Sequence, residues 1–218
     1  ERVNEVGDLK DILPLWKSLN YNCASVHLGW GMESDADMDK LVKYIIDSSV
    51  AYDIPIYIET HRATITQDLF RTVELTKRFP EVRFNGDFSH WYTGQEMVYG
   101  GIENKWNFIQ PVFDSVRFMH GRIGNPGCIQ VDVKDDKNTE YVNHFKDMWK
   151  RSFVGFLKSA KPGDYICFTI ELLKAEIYYE RTIITNDGAE VEEGDRWQQA
   201  LLYKEIVQQC WEDAQKEL

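Results

Sequence analysis

Four segments of this chain each read as a short apolar strand that ends on a side chain able to bind a metal. They are Ile54-Pro55-Ile56-Tyr57-Ile58-Glu59, Val82-Arg83-Phe84-Asn85-Gly86-Asp87, Val116-Arg117-Phe118-Met119-His120 and Ile166-Cys167-Phe168-Thr169-Ile170-Glu171. In a barrel of parallel strands the carboxyl-terminal strand ends converge at one mouth. Three carboxylates and one imidazole gathered there would hold a single divalent cation. Mostly oxygen donors plus one nitrogen suit octahedral Mn²⁺, Mg²⁺ or Co²⁺ better than tetrahedral Zn²⁺. Such a cation acidifies the carbon beside a carbonyl, and carboxylates flanking that carbon can move its proton. A lone Glu at a strand end is more often solvated or salt-bridged. Four metal-capable residues on four successive strands make the chain look like an enzyme.

Histidine placement points the same way. Of five histidines, His27, His61, His90 and His120 lie at or just past strand ends, and only His144 falls on a helix. Four at one face favour a polar working site over four separate structural imidazoles. Trp30, Trp91 and Tyr92 lie close in sequence to that face. They could stack on a sugar ring or pack as a lid. Arg122 follows a ligand position by two residues and could orient a substrate hydroxyl or anion, or neutralise the carboxylates; the first role is favoured here. Arg62 has the same two options with nothing to separate them.

The elements that must position these groups alternate. An amphipathic pattern over Leu9–Leu19 predicts a helix. Cys23–Leu28 reads as a buried strand, and a helix from about Asp37 to Tyr52 is capped by Ser34 or Asp35. A helix capped by Thr66 and stopped by Pro80 separates strands 54–59 and 82–87. Residues 91–107 read as a loop and short helix, and 121–140 as a long loop. A helix over about 140–160, a polar stretch at 174–195 with an Asn186-Asp187-Gly188 turn, and a last helix from Asp195 complete the order. Alternating strand and helix argues for a parallel sheet with right-handed crossovers. The strands read as continuous apolar runs, so both faces should be buried. Five strands are recognisable, and the chain opens on a helix.

Composition narrows the classes. The chain has 218 residues, a formal charge of −11 and 43% hydrophobic residues, enough for one sizeable core in a single domain. An acidic surface counts against nucleic acid and anionic membranes as partners. No apolar run is long enough to span a bilayer. The four cysteines form no C-x-x-C pair, which is the usage of a reducing compartment such as the cytoplasm.

Taken in order, I-E-T-H-R at 58–62, G-D-F-S-H-W at 86–91, M-H-G-R-I-G at 119–124, T-I-E-L-L at 169–173 and D-R-W-Q-Q-A-L-L at 195–202 resemble the xylose-isomerase-like TIM barrels, the sugar phosphate isomerase/epimerase group. The resemblance covers about three quarters of the chain. It implies a (β/α)₈ barrel of which this chain lacks about three leading units. It implies Glu59, Asp87, His120 and Glu171 as metal ligands, with Glu59 and Glu171 as an acid/base pair working through an enediolate. His90 matches a substrate-contacting position, His27 sits where some relatives carry another histidine, and Arg122 follows its histidine at a shorter spacing than in the family. His61 and Trp91, from the residues above, complete the expected substrate set. The expected partner is a small sugar. A missing leading part would expose strand 23–28 as an edge open to self-association.

Two alternative readings share these residues: a sugar-acid or cyclitol dehydratase on the same metal site, and a non-catalytic carbohydrate-binding barrel. The related endonuclease IV branch needs an Asp-x-His after the histidine strand. Segment 128–140 offers Asp132, Asp135 and Asp136 but no histidine, which disfavours it.

Overall fold

Six parallel strands lie side by side in chain order in a computed structural model that describes residues 1–134 and 139–218. They are β1 (Arg2–Val3), β2 (Ala24–Leu28), β3 (Ile56–Glu59), β4 (Phe84–Gly86), β5 (Val116–Gly121) and β6 (Cys167–Ile170). Helices cover the connections: α1 (Leu13–Ser18), α2 (Asp35–Tyr52), α3 (Leu69–Arg78), α4 (Ser89–Gly94), α5 (Glu103–Ser115) and α6 (Glu140–Ser159). After β6 come a hairpin of β7 (Thr182–Ile184) and β8 (Glu190–Glu192) and the closing helix α7 (Arg196–Lys216). The alternation expected from sequence is present as an α/β fold. Among the described residues, no helix is long and apolar enough to cross a membrane.

The chain does not open on a helix. Arg2–Val3 pairs in parallel with His27–Leu28, so strand 24–28 is an interior strand and not the exposed edge expected. A two-residue strand has no period to read, which is why the sequence hid it. The helix expected from Leu9 begins at Leu13, because Pro14 can be accommodated only in the first turn. Asp68, not Thr66, caps α3 by accepting from the Arg71 amide. Thr66 instead donates its hydroxyl to the Glu59 carbonyl at 2.6 Å, bracing the end of β3. The 91–107 stretch holds more helix than expected, since α5 runs through Pro111 to Ser115. The Asn186-Asp187-Gly188 turn is the tip of the β7–β8 hairpin, with Gly188 at a φ of 84°.

The sheet curls. Strands β2 and β6 stand four places apart, which in a flat sheet is about 19 Å at about 4.8 Å per strand. Yet the Tyr165 hydroxyl, just before β6, donates to the Asn22 carbonyl, just before β2, at 3.4 Å. The Cys23 thiol likewise meets Cys167, and burial, with that contact second, pushes its pKa up to about 11. The two faces of the sheet differ accordingly. Val26, Leu28, Ile56, Ile58 and Phe84 are buried beneath the helices. Alternate residues Ser25, His27, Tyr57, Glu59, Asn85, Phe118, His120, Cys167 and Thr169 share the concave face. The expectation of two apolar faces therefore fails on one side: the concave face is polar toward its carboxyl-terminal rim. The outer layer is tight where α5 meets α6. A Cβ on Gly155 would stand 2.6 Å from the Asp114 backbone, so mid-helix glycine lets the two helices approach.

Candidate metal and acid/base site

Successive strands deliver the site from the concave rim. Glu59 ends β3, Asp87 follows β4, His120 lies in β5 and Glu171 follows β6. Ligand atoms of Glu59, Asp87 and His120 all lie within 4.8 Å of one another. His120 Nδ1 is 3.5 Å from Glu59 Oε2 and 3.4 Å from Glu171 Oε2. The four residues expected to meet are therefore gathered at one place. Glu171 is the most open of them, with a side chain 27% exposed against none for Asp87.

Asn85 stands at their centre. Its Nδ2 donates to Ser25 Oγ at 2.9 Å and Glu59 Oε2 at 3.2 Å, and lies 3.3 Å from His120 Nδ1. Its Oδ1 is buried without a partner. Asn85 precedes Asp87 by two and Ser25 precedes His27 by two, so the strand period could have marked both as neighbours of the site.

Arg122 is buried, 1% exposed, and its contacts are with the carboxylates. Nη2 donates to Asp87 Oδ2 and, at 2.8 Å, to Glu171 Oε2; Nε donates to Ser89 Oγ at 3.1 Å. Of the two roles open from sequence, the geometry supplies neutralisation. Ser89 also donates to Asp87 Oδ1 through its amide at 3.1 Å and its hydroxyl at 2.5 Å. Tyr179, which no sequence pattern singles out, lies under the Arg122 guanidinium with 4.5 Å from ring centroid to Cζ, and Arg62 is over the same ring at 5.2 Å. Gln130 holds that segment in place: its side chain donates to the Leu173 carbonyl at 2.8 Å and accepts from the Leu173 amide at 2.9 Å.

His27, His61 and His90 form a column, with ring centroids 4.1 and 3.8 Å apart. His27 Nε2 lies 3.2 Å from Glu59 Oε1. Trp91 is elsewhere. It is fully buried, packs on Phe88 and donates Nε1 to the Thr66 carbonyl at 2.7 Å, so it cannot stack on a ligand at the rim. Tyr92 is buried as well, against His144 at 2.9 Å. Both were placed at the rim by their nearness in sequence, but α4 turns them inward. Trp30 is half exposed beneath the Arg2 guanidinium. Asp132 faces Lys134 and Glu193, away from these groups, while Asp135 and Asp136 lie outside the described residues.

The charges are distinct. Burial would raise Glu59, but hydrogen bonds from His120 and His27 outweigh it and hold the carboxyl well below its usual range. Burial likewise opposes the charge on Asp87, and Arg122 and His90 overcome it, keeping the pKa low. In Glu171 burial prevails over His120 and Arg122, and the pKa is raised. Burial also opposes charge on His120, but Glu59 wins and raises it. Burial lowers His61 to about 4 and His90 to about 3. No protein-family model matches the chain, and no curated protein matches it.

The donor set fits a divalent cation. Three carboxylates against one guanidinium leave two negative charges when the imidazoles are neutral. The orphaned Asn85 Oδ1 adds a further unsatisfied acceptor among these groups. Glu59, Asp87 and His120 would hold the ion, with Glu171 beside it.

The low histidine values carry a pH prediction. In the unfolded chain His90 takes up its proton near pH 6.5, whereas folded it stays neutral down to about pH 3. Between those limits the unfolded state binds more protons, so stability falls on acidification by up to about 1.4 kcal/mol per pH unit per histidine. His90→Phe should flatten the stability–pH curve of the chelator-treated chain between about pH 4 and 6 by that slope. Urea denaturation across this range checks it, and an unchanged slope would show that folded His90 charges freely.

Proposed function

We propose that this chain is a divalent-metal-dependent isomerase or epimerase of a sugar or sugar phosphate, built on a segment of a (β/α)₈ barrel. The observation that carries the reading is the convergence of Glu59, Asp87 and His120 at one rim, with Glu171 beside His120. The barrel reading is supported by consecutive parallel strands and by the curl that brings Asn22 to Tyr165. Four free thiols support work in the cytoplasm.

The bound cation would polarise a substrate carbonyl. Glu171, the more exposed carboxylate and the one with the raised pKa, is placed to take the proton from the adjacent carbon. The C–H electron pair would form the carbon–carbon double bond while the carbonyl π pair moves to its oxygen, giving an enediolate of the substrate. Return of a proton to the opposite face gives an epimer; return to the neighbouring carbon gives the aldose–ketose isomer. Glu59, more enclosed and held ionised, would receive and pass the second proton. Arg122 keeps Asp87 charged and aims Glu171.

Incubating the Mn²⁺-loaded chain with a panel of sugars and sugar phosphates in D₂O tests this. Deuterium should enter the carbon next to the carbonyl with product mass otherwise unchanged, and a chelator should stop it. Loss of water from the product would assign a dehydratase instead, and binding without exchange a non-catalytic barrel.

A further inference from the structure

The curl of the sheet is held lightly where its ends approach. Among the described residues β6 pairs with β5 alone, and none of its four residues is buried, whereas all four of β3 are. Across the curl, the Tyr165 hydroxyl reaches the Asn22 carbonyl at 3.4 Å, at the long end of a hydrogen bond. Just beyond these two residues the Cys23 thiol meets Cys167. Cys23 stands two before Ser25, so both thiols belong to the concave face.

We propose that Cys23 and Cys167 are a disulfide site, at which an oxidant of the disulfide class, such as oxidised glutathione, closes a reversible cross-link that staples β6 to the start of β2. The step balances by exchange. One cysteine thiolate attacks the oxidant, forms a mixed disulfide and releases one glutathione. The other thiolate attacks that mixed disulfide, forms the Sγ–Sγ bond and releases the second glutathione. The two cysteine protons end on the two glutathiones, and the two electrons given up by the cysteine sulfurs reduce the oxidant.

Both thiols are only half-buried, so a solute can reach them. Cys210 shows the contrasting usage: it is buried, donates to the Lys146 carbonyl at 3.6 Å and serves as a small hydrophobe. Burial raises the Cys23 pKa, which makes it a slow nucleophile and a poor leaving group. The bond should therefore form slowly and resist reduction once closed. In a reducing compartment the pair stays open, as it stands in this structure. The inference does not depend on sugar turnover: a chain that closes the bond yet exchanges no deuterium keeps the staple and loses the proposed activity.

Thiol counting and peptide mapping test it. The full chain, reduced, freed of reductant and held with oxidised glutathione at mildly alkaline pH, should fall from four free thiols to two. Mass spectrometry should find the Cys23 and Cys167 peptides joined, with the loss of two hydrogens. The bond closes a loop of about 140 residues in the unfolded chain, so Tm should rise by about 10–20 °C, and dithiothreitol should reverse the rise. Cys23→Ser and Cys167→Ser should each show neither the link nor the rise. Four remaining thiols, a glutathione adduct that never resolves to the link, or a link to a different cysteine overturns the proposal. A link that leaves Tm unchanged or lowers it also overturns it, because the bond would then strain the curl instead of holding it. If a serine variant does not fold by circular dichroism, the wild-type link map and its melts decide alone.

Discussion

Glu171→Gln should lower turnover of any substrate found by about 10²–10⁴-fold, the usual contribution of a positioned acid or base, with metal content retained. The amide keeps an oxygen for the Arg122 bond, now 2.8 Å, so the fold has little reason to change. What it loses is the ability to take a proton, and Glu171 is the carboxylate whose burial leaves its pKa raised and whose side chain is still partly open. Glu59→Gln should be as damaging for a different reason. Glu59 is enclosed, held ionised by His120 and His27, and one of the proposed metal ligands. Its loss should therefore remove bound metal along with turnover. Steady-state rates and metal content, measured side by side on both variants, separate the two roles. Wild-type rates in both would end the isomerase reading.

The rim residues were legible because their chemistry interrupts an apolar run. Glu59, Asp87, His120 and Glu171 each close a short, mainly apolar strand segment, and a polar or charged group there must face a rim or a cavity. Strand period reaches two more residues of the site: Asn85 stands two before Asp87 and Arg122 two after His120, so each shares its neighbour's face. What the sequence hid had no period to betray it. β1 is two residues long, and Tyr179 lies in a polar stretch whose course is set by Gln130 clasping the Leu173 backbone, a contact 43 residues apart. Trp91 misled for the complementary reason. Five residues after β4 it is close to the rim along the chain, but α4 turns its indole into the core, where its one polar atom meets the Thr66 carbonyl. Nearness in sequence fixes the backbone's position and leaves the side chain's direction to the helix.

Arg122→Met should destabilise the metal-free chain by about 3–5 kcal/mol, the range for removing one member of a buried ion pair. At about 2–4 °C per kcal/mol for a domain this size, that is a fall in Tm of about 6–20 °C. The cost arises at Asp87, which is fully buried and would keep only Ser89 and a distant His90 Nε2, 3.5 Å away, as partners for a full charge. Two further results follow from the same cause. Adding Asp87→Asn to Arg122→Met should restore part of the stability, because a neutral amide needs no counter-charge. The pH dependence should also change sign. In the wild-type chain the Asp87 pKa is depressed, so its contribution is full above the unfolded value near 3.9 and is lost as pH falls through the lower folded value. Without Arg122 burial prevails, the folded pKa rises above the unfolded one, and mild acid should relieve the variant. Thermal melts of both variants and the wild type in chelator from about pH 7 to pH 4 measure all three effects. Equal melting temperatures for Arg122→Met and wild type would mean that water, not the guanidinium, compensates Asp87. Its burial would then be looser than a fully enclosed carboxylate allows.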